Sequence, residues 1–322
     1  MNLDTVVCAD ALDFLRTLPD ESVNCLITSP PYYGLRDYGE DGQLGLEDTP
    51  AEYVARMVAI FREARRVLRD DGTCWIVIGD SYWGGKGQSG HADPEMQMVR
   101  VASGVSFNAP AAHVGGHGQT RPTDRKHETL KPKDLIGIPW RVAFALQADG
   151  WWLRSDIIWA KPNPMPESVR DRPTKAHEYV FLLTRSATYW YDAEAIVEPA
   201  IMKPQNRNTS GRGKKDIGYA EHRKAPGMTN PITRNCRTIW TVATEPTPFA
   251  HFATFPQKLI EPMVLAGCPA GGVVCDPFMG SGTTALVARQ LGRHFLGCDV
   301  NAEYVALANE RLAVPYTLPM FV

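Results

Sequence analysis

The stretch "VVCDPFMGSGTTALVARQLGRHFLGCDVN" (residues 273–301) has the pattern of two buried strands joined through a glycine turn and a helix. An apolar run leads into Gly280 and Gly282, an amphipathic segment follows, and a second apolar run ends at Asp299. Glycine lets the backbone pass close to a ligand, and the first turn of the next helix favours polar or anionic groups. Doubly wound folds place an acid at the end of the second strand to bind a ribose diol. The stretch therefore predicts an α/β fold with a doubly wound, mostly parallel sheet.

The glycine turn alone has two interpretations. A G-x-G pair also occurs in a plain tight turn between a strand and a helix. The dinucleotide fingerprint G-x-G-x-x-G is incomplete because Thr283 and Thr284 follow Gly282, and the sequence contains no G-x-x-x-x-G-K-[ST] motif of nucleotide triphosphatases. A functional turn would therefore bind a small adenosine-like cofactor without a pyrophosphate.

Strand and helix patterns also alternate on either side of this stretch. They occupy residues 4–79, return after residue 134 and resume from Thr254. Such alternation is typical of a parallel sheet with crossover helices. The predicted strands are residues 5–8, 23–27, 73–79, 151–160, 177–185, 272–278 and 294–300, and the predicted helices are residues 9–18, 51–68, a segment opening near Pro139, 256–266, 283–291 and 302–312.

Two segments lack these patterns. Residues 84–133 are dominated by Gly, His, Gln, Ser and Pro and predict a long mobile loop, which in a compact domain is usually functional or disordered. Residues 201–237 are irregular but basic. The formal net charge of −2 supplies no strong global field, so any contact with nucleic acid must come from a local patch such as this one.

The composition predicts an intracellular protein. With 322 residues, of which 44% are hydrophobic, the chain can bury a large core. Its seven cysteines include no C-x-x-C pair, which predicts reduced thiols instead of disulfides or a zinc site. The first residues lack a signal-peptide pattern, and no apolar run reaches the roughly 20 residues of a membrane helix. A cytoplasmic location without a membrane partner is expected.

A second informative stretch, "TSPPYYGLRDYG" (residues 28–39), follows the predicted strand at 23–27. Two prolines stiffen the turn and remove backbone donors, and two tyrosines come directly after them. Alone, the pattern also fits a proline-stiffened loop with core tyrosines. The carboxyl ends of parallel strands share one edge of a sheet, so the glycine turn on the same sheet favours the lip of an active site.

The two stretches together resemble the signatures of one enzyme family. "DPFMGSGTT" and "GCDVN" are similar to the S-adenosylmethionine motif of DNA amino-methyltransferases, and "TSPPY" is similar to their catalytic [DSN]-PP-[YFW] motif. The catalytic motif comes first in this chain, an order that marks the beta group. Further similar blocks are residues 79–85, 135–141, 149–183 and 251–267. The resemblance implies a Rossmann-like methyltransferase fold with a circularly permuted motif order.

The resemblance implies that Ser29, Pro30, Pro31 and Tyr32 form the catalytic turn. An exocyclic amine is a weak nucleophile because its lone pair is delocalised into the base ring. The Ser29 side chain and the Pro30 carbonyl can accept the amino hydrogens and draw that lone pair back onto nitrogen. Tyr32 can stack on a base that has been flipped out of the duplex. Direct transfer needs no covalent nucleophile, so positioning and electrostatics provide the rate.

The resemblance also implies S-adenosylmethionine as the cofactor, with no metal. The residues implied at its site are Asp10, Phe255, Asp276, Phe278, Gly280, Gly282, Thr283 and Asp299. Asp299 would take the ribose hydroxyls, and Asp10 corresponds to a position near the adenine. A helix N-cap is an equal alternative for Asp10, and a plain core role is the alternative for Phe255.

Double-stranded DNA is the implied substrate, and basic residues are the candidates to bind it. They are Arg36, Lys161, Arg207, Arg212, Lys214, Lys215, Arg223 and Lys224. The basic residues of the segment 201–237 can neutralise phosphates. The position of the segment between the catalytic motif and the cofactor motif favours a target-recognition role, although a charge run can be a solvated surface. Lys161 can equally be a surface lysine, and Arg36 can belong to an ordinary loop. His177 and Glu178 are interpreted as structural residues at a strand start.

The expected organisation is one methyltransferase domain in three parts, with residues 1–200 as the catalytic half, 201–237 as the target-recognition segment and 238–322 as the cofactor half. Cytosine N4 is the expected target because adenine enzymes more often carry Asp in place of Ser29; adenine N6 is the alternative. A non-catalytic DNA-binding protein is a weaker alternative, as is an RNA or protein methyltransferase, which normally has the cofactor motif first. A homodimer and a cognate restriction endonuclease are the other expected partners.

Overall fold

Helices and strands alternate along most of the chain, as the sequence predicts. A computed structural model of the protein describes residues 1–35, 42–84, 122–200, 233–245 and 255–314. The strands are β1 (Thr5–Cys8), β2 (Val23–Thr28), β3 (Leu68–Ile78), β4 (Trp152–Ala160), β5 (His177–Thr184), β6 (Glu198–Pro199), β7 (Thr233–Arg234), β8 (Ile239–Thr241), β9 (Val273–Asp276) and β10 (His294–Asp299). The helices are α1 (Ala11–Thr17), α2 (Pro50–Val67), α3 (Ile138–Ala148), α4 (Gln257–Gly267), α5 (Thr283–Gln290) and α6 (Ala302–Ala313).

Eight of the described strands form one sheet in the order β1-β10-β9-β2-β3-β5-β4-β8. β5 runs antiparallel to both of its neighbours, and the other described pairs of this sheet are parallel. The seven parallel strands therefore end at one edge of the sheet, which we call the carboxyl edge, and β5 begins there. The predicted mainly parallel α/β sheet is confirmed, and β4 pairs with β5, the next strand along the chain.

Helices cover both faces of the sheet. α1, α2 and α3 share a core cluster that includes Phe14 and Phe61, whereas α4, α5 and α6 share a second cluster that includes Met263. Successive residues of a strand point to opposite faces. In β2, accordingly, Leu26 belongs to the first cluster and Ile27 to the second. The sheet is doubly wound, and its central strands are buried on both sides.

The structure departs from the predicted elements in two places. β3 begins at Leu68, before the predicted Thr73, because it already pairs there with Val23 of β2 and continues through a register shift. β8 and the small β6–β7 pair are not predicted by the sequence, since they are two or three residues long and Ile239 is 62% exposed. The predicted long loop falls mainly on residues 85–121, which lie outside the described residues, as do residues 201–232 of the basic segment.

The seven cysteines are all free thiols, which agrees with the predicted reduced state. Five of them are buried, and this burial raises the pKa of Cys25 and Cys74 well above the usual value. Within the described ranges, no helix is both long enough and apolar enough to cross a bilayer.

Candidate active site

Three strand ends meet at the carboxyl edge of the sheet. β2 ends at Thr28 and leads into the turn Ser29–Tyr32, which we call the proline turn. β9 ends at Asp276 and leads into residues 277–282, which we call the glycine turn, and β10 ends at Asp299. Because β9 lies between β2 and β10 in the sheet, both sequence stretches singled out above converge on one place.

Asp276 links the two turns. Its fully buried carboxylate accepts hydrogen bonds from the Thr28 hydroxyl (2.6 Å), the Thr284 hydroxyl (2.7 Å) and the Phe278 backbone N–H (3.0 Å). Burial raises the pKa of this carboxyl to about 6, because desolvation outweighs the opposing effect of the three donors. Asp276 thus ties the last residue of β2 to the glycine turn and to the start of α5.

The raised pKa of Asp276 predicts a pH-dependent stability that Asp276→Asn removes. The folded state holds this proton up to about pH 6, whereas the usual pKa of an Asp carboxyl is 3.8, so stability is lost as pH rises through that window. Relative to Asp276→Asn, we expect the free energy of unfolding of the native protein to fall by up to about 3 kcal/mol between about pH 4 and pH 6 and to level off above. Urea unfolding at several pH values measures this, and a difference that does not change with pH would contradict it.

The glycine turn is hydrogen-bonded to the last residue of β10. The Gly280 N–H donates to Asp299 Oδ2 (2.9 Å), while Asp299 Oδ1 accepts from the Asn301 N–H (3.0 Å). Gly282 has a left-handed φ of +83°, and a Cβ there would lie 3.0 Å from the Ala308 Cβ, so both conformation and space require glycine. The result is a backbone cradle with a carboxylate beside it at the start of α5.

The other predicted cofactor residues have mixed surroundings. Asp10 caps α1, accepting from the Leu12 N–H (2.8 Å), and the adjoining Ala9 N–H bonds the Asp299 carbonyl. Both interpretations of Asp10 therefore remain compatible with its place at the end of β1. Phe278 is partly buried against the first core cluster and Phe255 against the second, and Thr283 opens α5 with 7% exposure.

Hydrogen bonds to backbone carbonyls hold the proline turn and the residue that follows it. The Tyr53 hydroxyl, from α2, donates to the Pro31 carbonyl (2.9 Å), and the Ser81 hydroxyl donates to the Tyr33 carbonyl (3.1 Å). Tyr33 itself is 1% exposed and belongs to the core. Among the described residues, no donor reaches the Pro30 carbonyl. The hydrogen bonds from Tyr53 and Ser81 hold the backbone here in place.

Tyr32 is held at its edge and at its hydroxyl. Its hydroxyl donates to Glu178 Oε2 (2.7 Å), and the Ser29 hydroxyl lies 3.4 Å from the same oxygen of Tyr32. A Cβ built on Gly79 would come within 2.6 Å of the ring. The absence of a side chain at the end of β3 therefore makes room for the Tyr32 ring.

Lys161 and Glu178 form an ion pair behind Tyr32. Both side chains are 17% exposed, and the Lys161 ammonium also lies 4.2 Å from the centroid of the Trp159 ring. Lys161 thus holds Glu178, the acceptor of the Tyr32 hydroxyl, and its predicted contact with DNA stays a prediction. Glu178, predicted to be structural, contacts the predicted catalytic Tyr32 directly.

For four residues that shape this edge, the sequence analysis predicts no role at the site. They are Thr28, Tyr53, Glu178 and Thr284. Each carries a polar atom inside an otherwise apolar strand or helix pattern, which was the available signal. The remaining predicted DNA contacts, Arg36 and the six basic residues of the segment 201–237, lie outside the described residues and stay predictions.

The comparisons with known proteins reported below all find DNA methylases or Type II methyltransferases. The family model described as DNA methylase matches residues 23–310. The chain is 47% identical to the Type II methyltransferase M.Cfr9I of Citrobacter freundii, over 97% of this chain and 88% of that protein. It is 44% identical to the Type II methyltransferase M.SmaI of Serratia marcescens, over 95% of this chain and 90% of that protein.

Two solved structures show the same fold. The PvuII DNA methyltransferase, titled cytosine-N4-specific, aligns with a TM-score of 0.61 at 18% identity, over 96% of this chain and 88% of that chain. A protein from Thermus thermophilus, titled "Putative DNA Modification Methylase" and complexed with S-adenosyl-L-methionine, aligns with a TM-score of 0.56 at 20% identity, over 98% and 95% of the two chains.

Proposed function

Because the chain belongs to the DNA methylase family of N6- and N4-amino-methyltransferases, we propose that it transfers a methyl group from S-adenosylmethionine to the N4 amino group of a cytosine in duplex DNA. The observation that carries this proposal is the proline turn, whose Pro30 carbonyl no donor among the described residues reaches, beside the glycine turn and Asp299. The sequence resemblance to this family is confirmed, and so is the Rossmann-like sheet.

The cofactor residues of this chain fit an adenosine with a charged methyl donor. The left-handed Gly282 lets the backbone approach a ligand, and the Asp299 carboxylate can accept from two ribose hydroxyls while it holds the Gly280 N–H. Asp276 holds the glycine turn in place by accepting a hydrogen bond from the Phe278 N–H. S-adenosylmethionine, when bound, supplies a methyl group already activated by its sulfonium.

The proline turn supplies acceptors for the target amine. Ser29 Oγ and the Pro30 carbonyl accept the two amino hydrogens, which concentrates the lone pair on nitrogen. Since the Pro31 carbonyl is clamped by Tyr53, the turn keeps its shape without a reorganisation cost during the reaction. The Tyr32 ring stacks on the base after it leaves the helix.

Cytosine N4 is proposed over adenine N6 on the basis of Ser29, in the position where adenine enzymes of this family more often carry Asp. The cytosine-N4-specific title of the PvuII enzyme, whose fold this chain shares, supports the choice. Adenine N6 is the second candidate, because both amines need the same two acceptors.

The proposal is tested by incubating the protein with labelled S-adenosylmethionine and unmethylated duplex DNA, followed by digestion and nucleoside analysis. N4-methylcytosine is the expected product. N6-methyladenine would keep the enzyme class and overturn the inference from Ser29. An absence of product on DNA of varied sequence, with the cofactor bound, would contradict the proposed substrate.

Gly79→Ala is expected to lower the single-turnover methylation rate by roughly a hundredfold. The new Cβ would lie 2.6 Å from the Tyr32 ring and must displace it, and displacements of about 1 Å at a reacting centre cost about this much. Affinity for S-adenosylmethionine should not change, because Gly79 follows β3 and not the cofactor strands. Rapid-quench kinetics and calorimetry check the two statements; native activity in the variant would show that the position of Tyr32 does not matter.

The proposal extends to partners and organisation. DNA recognition is assigned to the segment 201–237, supported by its basic composition, between a catalytic half (1–200) and a cofactor half (238–322) of one cytoplasmic domain. The Type II names of the relatives support a cognate restriction endonuclease. A homodimer stays a prediction, which sedimentation of the purified protein tests.

A further inference from the structure

A chain of polar contacts reaches the Ser29 hydroxyl from behind the proline turn. Lys161 pairs with Glu178 Oε1, the other oxygen of Glu178 lies 2.7 Å from the Tyr32 hydroxyl, and the Tyr32 hydroxyl lies 3.4 Å from Ser29 Oγ. Lys161 and Glu178 form an ion pair at a site where both side chains are 17% exposed.

The chemistry of these groups determines which atom donates in each hydrogen bond of this series. An ionised carboxylate can only accept hydrogen bonds, and an ammonium can only donate them. The single phenolic hydrogen of Tyr32 is therefore donated to Glu178, and Tyr32 Oη can only accept from Ser29. The Ser29 hydrogen is consequently turned toward Tyr32 Oη.

We propose that Glu178, held by Lys161, is a positioning residue that orients the hydroxyl hydrogen of Ser29 through Tyr32, so that the Ser29 lone pairs face the base amine. The inference rests on the proposed function, since it needs Ser29 to be an acceptor. It assigns a role to Tyr32 beyond stacking and a role to Glu178 beyond the strand start.

This direction predicts an unusual effect of Glu178→Gln. An amide has one acceptor and one donor end, and the Lys161 ammonium takes the amide oxygen. The amide NH2 then faces Tyr32, whose own hydrogen must turn toward Ser29, and the Ser29 hydrogen turns toward the target amine. The Ser29 O–H and the N–H of the target amine, which are both donors, would then face each other at the reacting centre.

The experiment compares single-turnover methylation of duplex DNA by the full chain and three variants. Glu178→Gln is expected to lower the rate roughly ten- to a hundredfold, and Tyr32→Phe, which keeps the ring, only about threefold to tenfold. The double variant is expected to be faster than Glu178→Gln alone. Phe has no hydroxyl, so it interrupts the reversed series of hydrogen bonds from the amide to Ser29. A purely structural role of Glu178 cannot produce this rescue.

Glu63→Gln is the matched control. Glu63 is a half-buried carboxylate whose side chain is 27% exposed and which accepts from Arg66 Nε (2.8 Å) near the end of α2, remote from the carboxyl edge. We expect native rates from this variant. Methylation by the native protein, of cytosine or adenine, tests the proposed function separately from the ratios among variants.

Two results would overturn the proposal. One is a Glu178→Gln variant as fast as the native protein. The other is a double variant slower than Glu178→Gln by about the factor that Tyr32→Phe shows alone, which is the additivity of two unconnected defects.

Discussion

Replacing Asp299 with alanine is expected to weaken the binding of S-adenosylmethionine by roughly a hundredfold or more. Each hydrogen bond from a ribose hydroxyl to a carboxylate contributes about 1.5–3 kcal/mol, and two are lost together. The variant also loses the acceptor of the Gly280 N–H (2.9 Å), so the glycine turn is less well ordered. Calorimetric titration with S-adenosylmethionine and with its demethylated product measures the loss, which should be equal for both because neither contact involves the methyl group.

Asp192→Ala is the matched control for this prediction. Asp192 also accepts two backbone N–H groups, those of Glu194 and Ala195 (both 3.1 Å), and its own N–H bonds Ala266 at the end of α4. Its removal should leave cofactor affinity unchanged. If Asp299→Ala binds the cofactor as tightly as the native protein does, the adenosine lies elsewhere and the assignment of the glycine turn is wrong.

Replacing Ser29 with alanine is expected to lower the maximal methylation rate by roughly a hundred- to a thousandfold. Loss of one preorganised group that stabilises developing charge commonly has an effect of this size. Ser29 lies outside the cofactor cradle, so affinity for S-adenosylmethionine should be retained, and the defect should appear in kcat and not in KM for DNA. Single-turnover and steady-state kinetics on the same duplex separate these quantities.

Ser22→Ala is the control at the other end of the same strand. Ser22 immediately precedes β2 and donates to the Pro19 carbonyl (2.7 Å), so its loss changes a surface turn only. Native kinetics are expected. A Ser29→Ala variant with a rate within about threefold of the native one would mean that the Pro30 carbonyl suffices as acceptor.

The fold could be predicted from the sequence because its signals are local. The helix α2 begins directly after Thr49, which forms a capping box with Glu52. The apolar runs of β9 and β10 are bounded by glycines and by Asp276 and Asp299. The edge strand β8 was missed because its three residues alternate between exposed and buried, which no short window distinguishes from a loop.

The site could be predicted only as far as its two motifs. Ser29 and Gly282 stand in short patterns of fixed spacing, whereas Glu178 reaches Tyr32 only because β5 is inserted antiparallel between β3 and β4. For the same reason Lys161 was predicted as a DNA contact or a surface lysine, since its partner Glu178 is seventeen positions away along the chain, on the neighbouring strand β5. Contacts of this kind depend on strand order, which the sequence pattern does not contain.

We propose that the protein methylates cytosine N4, with the amino group held by the proline turn and the cofactor held by the glycine turn. It is tested most directly by single-molecule sequencing of DNA from cells that produce the native chain or Ser29→Ala. We expect N4-methylcytosine at one recurring DNA sequence with the native chain and an unmodified genome with the variant. N6-methyladenine at a recurring sequence, or unchanged N4-methylcytosine with Ser29→Ala, would contradict it.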